Sequence, residues 1–278
     1  MINYIKSELY KASKHSYMQK LFIFLAVICL CFNLFLFSIN KFSGLSINLS
    51  EALLNYSDFL LFSFFLPLLV VNGVFSNDYL NKTMKNSLSV GIGRKKIFFG
   101  KLVSSILITF IFFVSLITIV LLSAILLFSF THTLILKQLA LILESSLKLL
   151  PLYTSSVVIC VSLFFIFKHN IVVFITYIYC MLLPQTLIDG CSIKFINDIG
   201  QNIIKHYHQY FIFIDFNSII NQAQNKQLEL LGIHDPTTSL ISSSLKVLST
   251  SESFYFGIAC SFIFILIGWL FYRKREIQ

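Results

Sequence analysis

The chain has 278 residues, of which 57% are hydrophobic and only 12% are charged, and its mean hydropathy is +0.84. Soluble domains carry about 25% charged residues, so this composition excludes an ordinary soluble enzyme or binding domain and indicates an integral membrane protein. The net charge of +9 is also typical of nucleic-acid-binding proteins, but the positions of the basic residues favour an orientation in a membrane and no nucleic-acid partner.

Residues 1–20 are predicted to form an amphipathic helix on the inner surface of the membrane. Apolar residues recur every three or four positions along one face: Ile2, Ile5, Leu9 and Ala12. Polar residues occupy the other face: Asn3, Lys6, Lys11 and Lys14. This region is long for a cleavable signal peptide, contains Glu8 and is followed by no cleavage motif, so we expect it to be retained.

Six apolar segments follow, and a helix needs about 20 such residues to cross a bilayer. They are Leu21–Ile39, Phe59–Phe75, Leu102–Phe130, Leu147–Phe167, Ile171–Ile188 and Phe254–Tyr272. Pro67 and Asn72 interrupt the second segment, whereas Pro151 falls in the first turn of the fourth, where its missing N–H costs little. The predicted fold is therefore an all-α integral membrane protein with six transmembrane helices and both termini on one side.

Segment 76–101 lies between the second and third spans. The stretch "SVGIGRKKIFFGKL" (residues 89–102), which begins in it, has the glycines and lysine of a phosphate-binding loop. Such a loop needs four residues between its first glycine and the Gly–Lys pair, and then Ser or Thr. Here six residues separate Gly93 from Gly100, and Leu102 follows Lys101. We therefore expect no ATP site in this chain.

Segment 189–253 is the only sizeable part predicted to lie outside the membrane, on its outer side. Its apolar run Tyr210–Ile220 is too short to span and contains Asp215, so we interpret it as an interfacial or half-inserted helix. A further outer helix, Leu134–Leu147, is predicted to lead into the fourth span.

The charge distribution predicts cytoplasmic termini. With that orientation the inner segments hold 14 of the 21 basic residues and three of the 12 acidic ones, as the positive-inside rule requires. The basic residues that open the third span are expected to reach phospholipid head groups: Arg94, Lys95, Lys96 and Lys101.

The span centres carry no ionisable residue, which disfavours ion-coupled transport. Asn33 and Asn72 are predicted to form hydrogen bonds between helices.

Metal and catalytic motifs are sparse. His206 and His208 form an HxH pair without neighbouring acidic or thiol ligands, which favours a surface loop over a metal site. The six cysteines contain no CxxC pair, and the chain has neither HExxH nor GxSxG. We therefore expect no catalytic residue, no metal and no cofactor bound by this chain.

Two motifs and the predicted topology resemble the permease subunits of the ATP-binding-cassette type-2 exporter family. "SELYKASK" resembles that family's N-terminal amphipathic helix, with its Glu-Leu-x-Lys pattern. Within 76–101, the family pattern of acidic residue, threonine, leucine, basic residue and Gly–Lys is matched by Asp78, Thr83, Leu88, Arg94, Gly100 and Lys101. Lys82 stands where the family has glycine, and Gly91 and Gly93 stand where proline is common. Six spans with a large outer segment between the fifth and sixth complete the resemblance.

The resemblance implies a multi-pass permease of a bacterial cell membrane, resembling lantibiotic-immunity permeases. A separate ATPase subunit would bind ATP and Mg²⁺ and dock on a coupling helix between spans two and three, where the Gly91-Ile-Gly93 turn would redirect the chain. The implied docking residues are Asp78, Thr83, Leu88, Arg94 and Lys101. Those of the interfacial helix are Ile5, Glu8, Leu9 and Lys11. A second permease protomer, identical or different, would complete the pathway. The implied substrate is hydrophobic or amphipathic, such as an antimicrobial peptide, although the family also handles drugs, polysaccharides and sodium.

The alternative function is a non-transporting membrane sensor or assembly factor whose outer segment binds a ligand. Such a protein would need no coupling helix, and segment 76–101 would then be a plain positive-inside loop. A membrane enzyme is disfavoured because no acid–base constellation is present.

Overall fold

The computed structural model describes residues 1–43, 49–54, 56–80, 83–128, 132–167, 169–191, 212–231 and 250–274, and these are almost entirely helical. The first helices are α1 (Ile2–Lys14), α2 (Ser16–Ser43), α3 (Leu49–Leu54), α4 (Tyr56–Ser63) and α5 (Leu66–Leu80). They are followed by α6 (Thr83–Ser89), α7 (Arg94–Leu127), α8 (His132–Ile166), α9 (Asn170–Cys191), α10 (Ile212–Leu230) and α11 (Thr250–Lys274).

Within the described ranges, four helical segments are long and apolar enough to cross a membrane: Ser16–Phe42, Arg94–Leu127, Leu136–Ile166 and Glu252–Lys274. Two shorter apolar stretches, Phe59–Phe75 and Asn170–Leu182, lie at the second and fifth predicted spans. The prediction of an all-α protein with several helices suited to a membrane is therefore confirmed for the described residues.

The amphipathic helix is shorter than the predicted 1–20. α1 ends at Lys14, because His15 adopts an extended conformation (φ −74°, ψ 121°). α2 then starts at Ser16, before the first apolar segment begins. Residues 16–20 therefore belong to the first membrane helix and not to the surface helix.

The second predicted span is broken near its middle, between α4 and α5. Phe64 and Phe65 form a turn, and α5 resumes at Leu66. Pro67 explains the position of the break, because a proline ring collides with the carbonyl of the residue four positions earlier. That residue is Ser63, the last of α4.

α8 joins the predicted outer helix and the fourth span in one 35-residue helix. Pro151 therefore lies in a helix interior, and its expected position in a first turn is wrong. Gly257 of α11 packs against this proline, since a Cβ on the glycine would lie 2.9 Å from the Pro151 carbonyl carbon and oxygen. Gly268 meets Ser162 in the same way, two turns before the end of α11. α8 and α11 are thus closely packed and parallel.

α2 and α7 also run parallel. Phe22 packs on Phe112 with ring centroids 5.4 Å apart, and Asn33 donates through Nδ2 to the Val120 carbonyl oxygen at 3.0 Å and to the Ser123 hydroxyl. The prediction for Asn33 is confirmed. The side-chain oxygen of Asn72 is buried and has no hydrogen-bond partner among the described residues, so its predicted interhelical bond is not observed there.

α10 confirms the helix predicted around Asp215, but the helix continues to Leu230. Its Phe213 and Phe216 pack on Phe64 at the α4–α5 break, with centroid distances of 5.4 and 4.6 Å. Most of segment 189–253, including the HxH pair and Tyr210, lies outside the described residues.

Candidate coupling site at the start of α7

The short helix α6 occupies the segment in which a coupling helix was predicted. It has seven residues and is closed by a glycine turn, in which Gly91 has φ +89°. The Gly91 N–H donates to the Leu88 carbonyl at 3.0 Å, and the Ile92 N–H donates to the Ser87 carbonyl at 3.1 Å. These two bonds form a Schellman motif, which commonly requires glycine at its left-handed position. The predicted redirecting turn is confirmed.

α7 begins directly after this turn, and its first residue is tied to another helix. Arg94 is half-buried, and its Nη1 donates to the carbonyl oxygen of Arg273 at 2.7 Å. Arg273 lies in the last turn of α11. Two helices that are far apart in the sequence are thereby held together at one end of the bundle, which we call the α6 end.

Lys101 lies two turns into α7 and is almost completely buried, with 1% of its surface exposed. Its Nζ is 3.0 Å from Oε2 of Glu8 in α1, and it lies 5.1 Å from the centre of the Phe75 ring at the end of α5. The expected reach of this lysine to phospholipid head groups is wrong, because burial against Glu8 turns the ammonium inward.

A buried ion pair of this kind sets geometry more than it adds net stability. Removing two charges from water is costly, and their attraction repays that cost only when the pairing is close. Removing either partner leaves an uncompensated charge, which typically destabilises by about 3–5 kcal/mol. The Glu8–Lys101 pair therefore fixes α1 against α7 in one register.

Other residues of α1 also pack against the protein. Ala12 and Glu8 are buried, and Ile5, Leu9 and Lys11 are half-buried. The Tyr4 ring packs directly over Gly100 of α7, so a side chain at that position would require the ring to move. The amphipathic helix thus presents its apolar face partly to the protein.

The inward position of Glu8 is not predicted by the amphipathic pattern of α1. It lies three residues after Ile5 and four before Ala12, on the apolar stripe of α1. A single carboxylate within such a stripe is a signal that a cationic partner lies opposite.

The other predicted docking residues lie near the same end. Asp78 falls in the last turn of α5 and Thr83 begins α6, but the side chains of both lie outside the described part of the structure. Leu88 is half-buried and packs against the apolar core. The docking role of this set stays a prediction.

Aromatic rings join four helices at the α6 end. Phe98 of α7 packs on Phe165 of α8 at 4.7 Å and on Trp269 of α11 at 5.6 Å. Phe75 of α5 packs on Phe164 and Phe165 at 5.2 and 5.0 Å. Such ring pairs contribute beyond their buried area, so the ends of α5, α8 and α11 form one rigid joint with the start of α7.

A second buried carboxyl lies in α10. Asp215 is 2% exposed, and its Oδ1 accepts a hydrogen bond from the Ser253 hydroxyl of α11 at 3.0 Å. Its Oδ2 is buried and has no hydrogen-bond partner among the described residues. Burial raises the pKa of Asp215 from 3.8 to about 6, although the hydrogen bond from Ser253 partly opposes that shift.

No family model matches the chain, and no curated protein matches it significantly. The local geometry at the α6 end is the feature that bears on function. There, a short helix, a fixed turn and a buried ion pair join α1, α6 and α7.

Proposed function

We propose that the chain is the permease subunit of an ATP-driven exporter, with six transmembrane helices and cytoplasmic termini in a bacterial cell membrane. The observation that carries the proposal is the direct connection of α6 to α7 through the Schellman turn, together with the Glu8–Lys101 pair. A displacement of α6 by a partner would pass into α7 and α1 through fixed hydrogen bonds and an ion pair, with no flexible linker between α6 and α7.

The dimensions of α7 support this transmission. With 34 residues the helix is about 51 Å long, whereas the hydrocarbon core of a bilayer is about 30 Å thick. The first turns of α7 can therefore extend beyond the hydrocarbon, where Lys95 and Lys96 are exposed. The aromatic contacts of Phe98 and Phe75 then connect this end of α7 to α5, α8 and α11.

The course of the helices supports six crossings. α2 and α7 point away from the α6 end, whereas α5, α8 and α11 end there. The broken α4–α5 stretch and α9 would supply the second and fifth crossings. Because both α1 and the end of α11 lie at the α6 end, one cytoplasmic face would carry both termini.

Energy would come from a separate ATPase subunit that binds ATP and Mg²⁺, and a second permease protomer would complete the pathway. The substrate class we favour is a hydrophobic or amphipathic compound, such as an antimicrobial peptide. The wide apolar surfaces of α2 and α11 suit a compound that enters from the bilayer, since both helices expose large side chains such as Phe24, Phe35 and Phe262.

Site-specific photo-crosslinking tests the proposal. A benzophenone side chain at Asn86, which is exposed on α6, is expected to capture a protein that carries a phosphate-binding loop when native membranes are irradiated. The matched control is the same probe at Leu136, which is 74% exposed on α8 beyond the fourth predicted span. Capture of no ATPase from Asn86, or equal capture from both positions, would contradict the proposal and favour the sensor or assembly factor.

A further inference from the structure

An apolar cavity of about 340 Å³ lies between α2, the α4–α5 break and α7. Its lining includes Ile28, Cys29 and Phe32 of α2, Phe62 and Ser63 of α4, and Leu116 of α7. The only hydroxyl in the lining, on Ser63, is already engaged, because it donates to the Leu60 carbonyl at 2.6 Å. The cavity therefore offers almost purely hydrocarbon contacts.

The break between α4 and α5 is held in place by other helices. The Phe64 carbonyl oxygen, at the turn, accepts a hydrogen bond from the Tyr177 hydroxyl of α9 at 3.1 Å. Phe216 of α10 packs on the Phe64 ring at 4.6 Å. Non-helical backbone at membrane depth is tolerated where it is buried in protein or lines a cavity, and this turn meets that condition.

We propose that this cavity binds one hydrocarbon chain of a bilayer phospholipid. Apolar cavities do not retain water, and one of about 150 Å³ already binds benzene, so a cavity of 340 Å³ has room for a stretch of acyl chain. Its rim residues Ile28 and Phe62 are 47% and 72% exposed, so the site opens towards the surface that faces the lipid in the proposed topology.

The short reach of the cavity along α2 disfavours a helix of a second copy as occupant. Its lining there extends only from Leu25 to Phe32, about two turns of helix. A flexible acyl chain fits so short a cleft, whereas helices in proteins average about three to four turns. The inference goes beyond the proposed function, since lipid binding requires neither ATPase nor transport.

The test uses the purified full chain in detergent with a trace of phospholipid that carries a diazirine in the middle of one acyl chain. Irradiation and peptide mass spectrometry give the labelled positions. We expect the cavity face of α2 (Leu25, Ile28, Cys29 and Phe32) to be labelled at least fivefold more than the exposed residues on its opposite face (Ile23, Val27 and Leu34). Equal labelling of both faces would overturn the proposal.

Two adjacent positions provide a matched pair of variants. Ile28 and Val27 are 47% and 49% exposed, but only Ile28 lines the cavity. Ile28→Trp should reduce labelling of the cavity residues severalfold, and Val27→Trp should leave it unchanged. Unchanged labelling in a folded Ile28→Trp, or crosslinks from Phe62 to a second copy in place of lipid labelling, would contradict the inference. The labelling pattern of the unmodified chain decides the question if Ile28→Trp fails to fold. Because no ATPase is present, these outcomes leave the Asn86 test unaffected.

Discussion

At the scale of single residues, the buried ammonium of Lys101 pairs with a carboxylate from a distant part of the chain. Glu8 is 93 positions away in the sequence, yet their charged atoms are 3.0 Å apart and both side chains are buried. Phe75 adds a ring contact to the same ammonium. The three residues belong to α1, α5 and α7, so this small cluster fixes where the surface helix meets two membrane helices.

Replacing Glu8 by glutamine should therefore be costly. Glu8→Gln removes the carboxylate that lies against the buried ammonium, and the free energy of unfolding should fall by about 3–5 kcal/mol in a denaturant titration of the detergent-solubilised chain. The double variant Glu8→Gln/Lys101→Met should recover most of this loss. As a control, Glu144→Gln removes an exposed pair with Lys148 and should cost less than about 1 kcal/mol. Similar small losses for both single variants would show that the buried pair is not a fixed contact.

Asp215 should make stability depend on pH. Because its pKa is raised to about 6 in the folded chain, against 3.8 ordinarily, the folded state binds this proton more tightly than the unfolded state. Its contribution therefore favours folding at low pH and is lost as the pH rises from about 4 through about 6. Thermal unfolding at pH 5 and pH 7.5 measures this difference.

The isosteric variant Asp215→Asn isolates that effect. It keeps an oxygen for Ser253 but cannot ionise, so the part of the pH dependence between about pH 4 and 6 should vanish. Above pH 6 the variant should unfold at a higher temperature than the unmodified chain. A pH profile that is unchanged by the substitution would show that Asp215 does not carry it.

At the scale of the elements, the turn between α6 and α7 decides how α6 is presented. Gly91 at φ +89° adopts a backbone conformation that costs other residues about 1–2 kcal/mol. Gly93 has φ −63° and is the residue before α7, and a Cβ would meet open space at either position. The two glycines thus differ in backbone conformation but not in steric room.

Gly91→Ala should therefore disturb the turn, and Gly93→Ala should not. A cost of 1–2 kcal/mol corresponds to a change of about 5–30-fold in the population of the observed turn. The yield of ATPase crosslinks from Asn86 should fall accordingly in Gly91→Ala and remain unchanged in Gly93→Ala. Equal crosslink yields in the two variants would contradict this prediction, because they would show that docking does not depend on the geometry of the turn.

The helices could be predicted from local patterns, but their limits could not. Apolar runs and Pro67 predicted the membrane helices and the break in the second. The helix that leads into the fourth span was also predicted, but its unbroken continuation through Pro151 was not, because a proline inside a helix usually kinks or breaks it. α1 ends at Lys14 because of the backbone conformation of His15, which no periodicity in the sequence reveals.

The candidate site was predicted in part. The short helix and the glycine turn follow from local sequence, since glycine is the usual residue where a helix closes in a left-handed conformation. The Glu8–Lys101 pair and the Arg94–Arg273 bond join residues 93 and 179 positions apart, so they depend on the packing of the whole bundle. The apolar cavity likewise exists only once three parts of the chain are packed together.

At the scale of the whole molecule, polar contacts and aromatic contacts between helices gather at one end of the bundle, the α6 end. The starts of α1 and α7, the short α6, and the ends of α5, α8 and α11 gather there through ion-pair, hydrogen-bond and ring contacts. The helix break and its apolar cavity lie farther along the bundle, beside α2. A partner that moved the α6 end would thus act on helices that border a hydrocarbon-binding site.

Co-purification of the tagged chain from its native membranes tests the central proposal most directly. The chain is extracted in mild detergent, and every retained protein is identified and quantified by mass spectrometry. We expect a stoichiometric protein with a phosphate-binding loop, and we expect its recovery to fall in Gly91→Ala but not in Gly93→Ala. Recovery of the chain alone, or with partners that lack an ATPase, in several detergents would contradict the assignment as an exporter permease.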